Sequence, residues 1–152
     1  MLKLVKQKIG NKILGSWKLI NWVYETENGK IADFYGKDPQ GLLVFLESGY
    51  MSVNVYQNNR TKFNSKALNS GSIEEKAKSF STFTAYYGTY IETRPGVLET
   101  SVEGALIPDW LGSTQIRYAE IKNNILKLST PPIPTNNGLK VFKLTWEKVE
   151  RV

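Results

Sequence analysis

A mainly β chain closed into a single antiparallel up-and-down barrel of about eight to ten strands is the fold this sequence predicts, with one helix inserted near residues 72–85. Three observations carry that expectation. Runs rich in β-branched and aromatic residues recur at short spacing, separated by Gly-, Pro- and Asn-containing turns. Only one internal stretch carries a complete helix-start signal. No repeat, low-complexity tract or long linker divides the 152 residues, so one domain is expected. A meander of this length must hide its strand edges, and closure into a barrel does so.

The elements follow in order. Residues 1–14 form an amino-terminal segment in which Leu2, Val5, Ile9 and Ile13 recur at helical spacing, which predicts a short amphipathic helix weakened by Gly10-Asn11. The barrel domain is expected over 15–150. Residues 17–24 are aromatic and β-branched, and Asn28-Gly29 is a hairpin signal because both residues tolerate positive φ. Asp38-Pro39-Gln40-Gly41 fits a turn, 42–46 is a continuous apolar run, and Glu47-Ser48-Gly49 turns into 50–56. A polar loop follows to Gly71. Ser72-Ile73-Glu74-Glu75 is a capping box: the serine accepts one orphan amide while Glu75 reaches back for another. Strands resume at 86–93, 97–104, 115–122, 125–129 and 139–149.

Composition narrows the chemistry. There is no histidine and no cysteine, which excludes a Ser-His-Asp triad, thiolate catalysis, disulfides and zinc sites built on those ligands. No Walker loop or dinucleotide fingerprint is present. The reading therefore carries no cofactor and no metal; any acid or base would be Asp, Glu, Lys or Tyr. The net charge is +6, but Lys3, Lys6, Lys8, Lys12 and Lys18 all precede the first acid, Glu25, and the rest of the chain is nearly balanced. That run reads as a solvated face, not as a nucleic-acid footprint. No apolar run approaches the roughly 20 residues of a membrane span, so stable membrane insertion is not expected. With no secretory signal recognised, a cytoplasmic location is expected.

The densest chemistry lies between Glu103 and Arg117, where a carboxylate, an indole, an amide and a guanidinium surround a bend marked by Pro108 and Gly112. Several blocks, in order along the chain, resemble the bacterial and fungal lipocalin-like domain family. They are Gly15-Ser16-Trp17, Asp38-Pro39-Gln40-Gly41-Leu42-Leu43 with Gly49-Tyr50-Met51-Ser52, and Ala85-Tyr86-Tyr87-Gly88-Thr89-Tyr90. Val102-Glu103-Gly104, followed by Pro108-Asp109-Trp110, Gly112, Gln115 and Arg117, is similar to the family's central motif, and Leu128-Ser129-Thr130-Pro131-Pro132 to its late one. The resemblance implies a calycin-type barrel and says little of activity. It also departs from the family: the histidine often found two residues before the motif glutamate is here Ser101.

Period two groups Val97, Glu99, Ser101 and Glu103 on one strand face, against Leu98, Thr100 and Val102. Gln115, Arg117, Ala119 and Ile121 share another face, as do Tyr86, Gly88 and Tyr90. With the motif set turned inward, Glu103, Arg117, Gln115, Tyr86 and Tyr90 gather at one end of the barrel. Trp110, Tyr50 and Ser101 join them as candidate ligand contacts. Three readings of that cluster stay open: a buried Glu103–Arg117 ion pair, a polar anchor for a ligand in an apolar cup, or a proton-transfer site using Glu103 or a tyrosine. The preferred function is binding of a small, largely apolar or amphipathic molecule with an acidic or carbonyl end. The alternatives are an isomerase, cyclase or dehydratase, and a filled barrel acting as a surface interaction module.

Overall fold

The computed structural model describes residues 7–151. Ten strands form one antiparallel sheet: β1 (Gly15–Thr26), β2 (Ile31–Asp33), β3 (Gln40–Phe45), β4 (Tyr50–Tyr56), β5 (Phe83–Arg94), β6 (Val97–Ala105), β7 (Thr114–Lys122), β8 (Ile125–Ser129), β9 (Ile133–Thr135) and β10 (Gly138–Lys148). Eight of them close the barrel in the order β1-β3-β4-β5-β6-β7-β8-β10, with β10 returning along β1 from Trp17↔Lys148 to Thr26↔Lys140. The short β2 and β9 are flaps on β1 and β10.

Closure bends the strands, and three bulges supply the bends. Opposite Trp146 and Thr145, β1 carries Ile20 as an extra residue between Leu19 and Asn21. On β6, Tyr87↔Gly104 and Gly88↔Val102 leave Glu103 without a partner. On β5, Thr93 is the extra residue between Glu92↔Leu98 and Arg94↔Val97. At the second bulge the backbones approach so closely that a Cβ on Gly88 would stand 1.9 Å from the Ser101 carbonyl oxygen, so only glycine fits there. Each bulge reverses the inside–outside alternation beyond it.

Two helical expectations change in extent. The helix α1 (Ile73–Ser81) begins with the expected capping box: Glu75 N–H donates to Ser72 Oγ at 3.1 Å, and Ser72 N–H to Glu75 Oε1 at 2.9 Å. It ends well before residue 85, because Phe83, Thr84 and Ala85 pair with Tyr56, Val55 and Asn54 of β4. None of its residues is buried, and Arg60 holds it, donating from Nη2 to the Ser79 carbonyl at 3.0 Å. At the amino terminus the described part is a single 3-10 turn, Gly10–Ile13, because Gly10 takes a left-handed φ of 53° that breaks an α-helical ladder. Leu2 and Val5 lie outside the described residues. No helix among the described residues is long and apolar enough to cross a membrane.

That turn seals one end. Ile13 and Trp17 are buried at 1% exposure and pack with Leu126 and Leu43. The Trp17 indole N–H donates to the Ile13 carbonyl at 2.8 Å, and the Lys148 ammonium sits 4.6 Å above the indole. Glu92 ties the segment down, its carboxylate accepting from Ile9 N–H at 2.7 Å, Gly10 N–H at 2.9 Å and Gly96 N–H at 2.9 Å. Partial burial pushes the Glu92 pKa up, but those three amides and the Lys8 charge outweigh it and hold the carboxyl below its ordinary value.

Candidate functional site

Above the Trp17 floor the barrel is hollow. A cavity of about 270 Å³ lies between the strands, its outer end walled by Phe34, Ile107, Trp110 and Ile133. That volume is roughly nine waters' worth of liquid, at 30 Å³ each, and falls just under the 300–1,000 Å³ of drug-sized pockets. It suits a molecule of one or two rings.

The two walls differ. On one side Trp22, Leu43, Phe45, Phe142, Leu144 and Trp146 give an aromatic and aliphatic surface. The Trp22 ring lies 4.5 Å from Phe34 and 5.0 Å from Tyr35, centroid to centroid, so the β2 flap closes over it. Tyr35 anchors that flap across the mouth through a 2.7 Å hydrogen bond between its hydroxyl and Thr84 Oγ1. Burial raises the Tyr35 pKa, with Thr84 and the Arg60 charge pulling the other way. The indole N–H groups of Trp22 and Trp146 are covered and have no acceptor among the described residues.

The opposite wall is polar. It is a contiguous patch on β5, β6 and β7 formed by Tyr86, Thr100, Gln115 and Arg117, all of which line the cavity. Adjacent residues in an antiparallel ladder point the same way. The register pairs Thr100 with Gln115 and Leu98 with Arg117, so these four share the inner face. Trp110 stands over them, its ring edge-on to Tyr86 at 5.7 Å. Arg117 Nη1 donates to the Ile116 carbonyl at 2.7 Å, while Nη2 reaches Tyr86 Oη and Gln115 Oε1 only at 3.4 Å each. Gln115 Nε2 donates to Ser113 Oγ at 3.3 Å, and Ser113 Oγ to the Trp110 carbonyl at 2.6 Å.

Of the eight residues singled out in the sequence, Tyr86, Trp110, Gln115 and Arg117 therefore line the cavity. Tyr90 lies outside its lining and packs in the core against Phe45, ring centroids 4.7 Å apart; burial raises its pKa. Glu103, Ser101 and Tyr50 are exposed on the outer surface. The expectation that Glu103 turns inward with Arg117 is corrected by register. Arg117 pairs with Leu98, so the inner face of β6 is Leu98, Thr100 and Val102, and Glu103 falls on the opposite, outer face with Ser101. There it accepts from the Tyr50 hydroxyl at 3.1 Å on each carboxylate oxygen. That bond, then the carboxylate charge, raises the Tyr50 pKa.

The Glu103–Arg117 ion pair is thereby removed as an explanation of the cluster. The ion pair formed among the described residues is Lys143 with Glu25, on the outer surface, so Arg117 has no carboxylate partner among them. Sequence reasoning missed Thr100, Trp22 and Trp146 as cavity residues. Thr100 had a readable signal, since it belongs to the less polar alternate set of its strand; Trp22 did not, because the bulge at Ile20 shifts its phase.

The family model for the lipocalin-like domain matches residues 14–149. The chain belongs to the lipocalin-like domain family. This lipocalin-like chain is 31% identical over 110 residues, 67% of its length and 99% of the relative's, to the 4'-hydroxy-3'-methoxypropiophenone carrier protein ppsC of Aspergillus oryzae. A crystal structure of a lipocalin-like protein from Bacteroides uniformis aligns over 90% of this chain and 98% of that one, at 13% identity and a TM-score of 0.45. The family assignment rests on the family model and the curated relative.

Proposed function

We propose that this lipocalin-like barrel binds and carries a small, largely apolar molecule of one or two rings, with an acidic or carbonyl end turned toward Arg117. The observation that carries the reading is the two-sided cavity: an aromatic wall that buries a ring, facing a polar patch with an arginine that has no carboxylate partner among the described residues. The similarity to a protein named as a carrier of an aryl ketone supports it, because such a molecule has this division of apolar body and oxygen-bearing end. The proton-transfer alternative loses Glu103, which stands outside the barrel, and keeps only a tyrosine, Tyr86, in the cavity lining.

The test is native mass spectrometry of protein purified from cells, before and after organic extraction, followed by Nile red titration of the extracted protein. A small adduct lost on extraction, or saturable dye uptake, is expected. A clean mass together with no dye uptake would end the carrier reading.

A further inference from the structure

The polar wall has more hydrogen-bond donors than acceptors, and the imbalance identifies what the ligand must bring. Arg117 offers five N–H donors in a planar fork and no acceptor. One is taken by the adjacent Ile116 carbonyl at 2.7 Å, and the two contacts of Nη2 at 3.4 Å lie beyond the 2.7–3.2 Å of an ordinary N–H···O bond. In the contact with Tyr86 the phenol oxygen is the acceptor, so the Tyr86 proton is still unspent. Thr100 is only 4% exposed, lines the cavity, and its hydroxyl makes no hydrogen bond among the described residues. Gln115 contributes an amide N–H₂ held by one weak bond at 3.3 Å. Against these donors the patch supplies the Gln115 carbonyl and hydroxyl lone pairs, and no carboxylate.

A half-buried guanidinium with no counter-charge loses hydration and recovers little of it from neutral partners. A neutral carbonyl would accept two of the waiting protons and leave the charge unmatched. A planar oxyanion accepts four and cancels it, with fork geometry suited to Arg117. We infer that the polar end of the ligand is an oxyanion, a carboxylate in its simplest form, seated on Arg117 with Gln115, Tyr86 and Thr100 donating around it. This rests on the carrier reading and selects the acid from its two options. Thr100 and Gln115 are direct cross-strand neighbours, while Tyr86 pairs with Ala105 further along β6 and joins the group through its hydroxyl, 3.4 Å from Arg117 Nη2.

The experiment compares two probes of one shape, 2-naphthoate and 2-naphthamide, as competitors of prebound Nile red at pH 7.5. Wild-type protein should bind the carboxylate at least tenfold more tightly. Arg117→Gln should erase that preference, and circular dichroism matching that of the wild type would show that the barrel is intact. Arg117→Lys should restore part of it, since it keeps the charge and loses the fork. Tyr86→Phe should weaken naphthoate more than naphthamide. No uptake of Nile red by wild-type protein defeats the carrier reading itself. Uptake of Nile red with naphthoate no better than naphthamide, including the case in which neither competes, overturns the oxyanion alone. So does a preference that survives Arg117→Gln.

Discussion

The floor and the hollow half of this barrel are walled by the same strands, yet they treat their polar groups in opposite ways. At the floor the polar groups of Trp17, Lys148 and Glu92 all find partners. The Trp17 N–H meets a carbonyl, Lys148 covers the indole and donates to the Leu14 carbonyl, and Glu92 takes three backbone amides. In the hollow half, and among the described residues, Arg117 has one long contact beyond its own strand, to Tyr86, the Thr100 hydroxyl has no hydrogen bond, and two indole N–H groups lack acceptors. Unmet polar groups inside a protein cost stability and call for a reason. Here the satisfied end holds the fold closed, and on the proposed reading the unsatisfied end is left for a ligand. Substitutions at the floor should therefore change stability, and those in the cavity should change binding.

The largest effect is expected at Trp17. Trp17→Ala deletes a fully buried indole, its hydrogen bond and the Lys148 contact, and should cost about 3–5 kcal/mol. Denaturant unfolding would measure this, and a loss below about 1 kcal/mol would mean the floor does not bear the stability assigned to it.

Glu92→Gln comes next, at about 1 kcal/mol, reduced because the carboxylate is partly in water. Its pH signature is sharper. The folded Glu92 titrates below its ordinary value of 4.5, so the folded state favours the ionised form. Its contribution is complete above the unfolded pKa, near 4.5, and disappears as the pH falls through the lower folded value. Unfolding midpoints of wild type and Glu92→Gln should thus differ at pH 7 and converge in acid. A difference that stays constant down to pH 3 would show that the charge on Glu92 is not what binds the amino-terminal turn.

Arg117→Leu should behave in the opposite manner. Removing a half-buried charge that has no counter-ion should leave stability unchanged or raise it by up to about 1 kcal/mol. A loss above 2 kcal/mol on thermal or denaturant unfolding would make Arg117 a structural residue and erase the distinction between the two halves.

How much of this was legible before the structure follows from the same contrast. Strand runs and turns are local signals, so the barrel, the capping box at Ser72 and the place of α1 could be read directly. Gln115 and Arg117 shared a face because β7 runs without a bulge from one to the other. Glu103 was misplaced for a physical reason: which face of β6 turns inward is settled by its register against β5 and β7, a non-local quantity. The same applies to Trp22 beyond the bulge at Ile20. The family resemblance marked Glu103 and Arg117 as parts of one motif, but a shared motif does not put two side chains on the same side of a sheet.

The smallest effect, and the closest test of that placement, is Glu103→Gln. On the outer surface Glu103 touches Tyr50 and no cavity residue, so stability should change by less than about 0.5 kcal/mol and Nile red affinity by less than twofold. One spectroscopic change is expected all the same. The carboxylate accepts the Tyr50 proton and opposes a neighbouring phenolate, so it holds the Tyr50 pKa above 10.0. With glutamine in its place that opposition is gone, and one tyrosine should titrate earlier in the alkaline absorbance curve. A tenfold loss of dye affinity with an unchanged tyrosine titration would mean that Glu103 faces the lumen after all, and that the inner face of β6 is not Leu98, Thr100 and Val102.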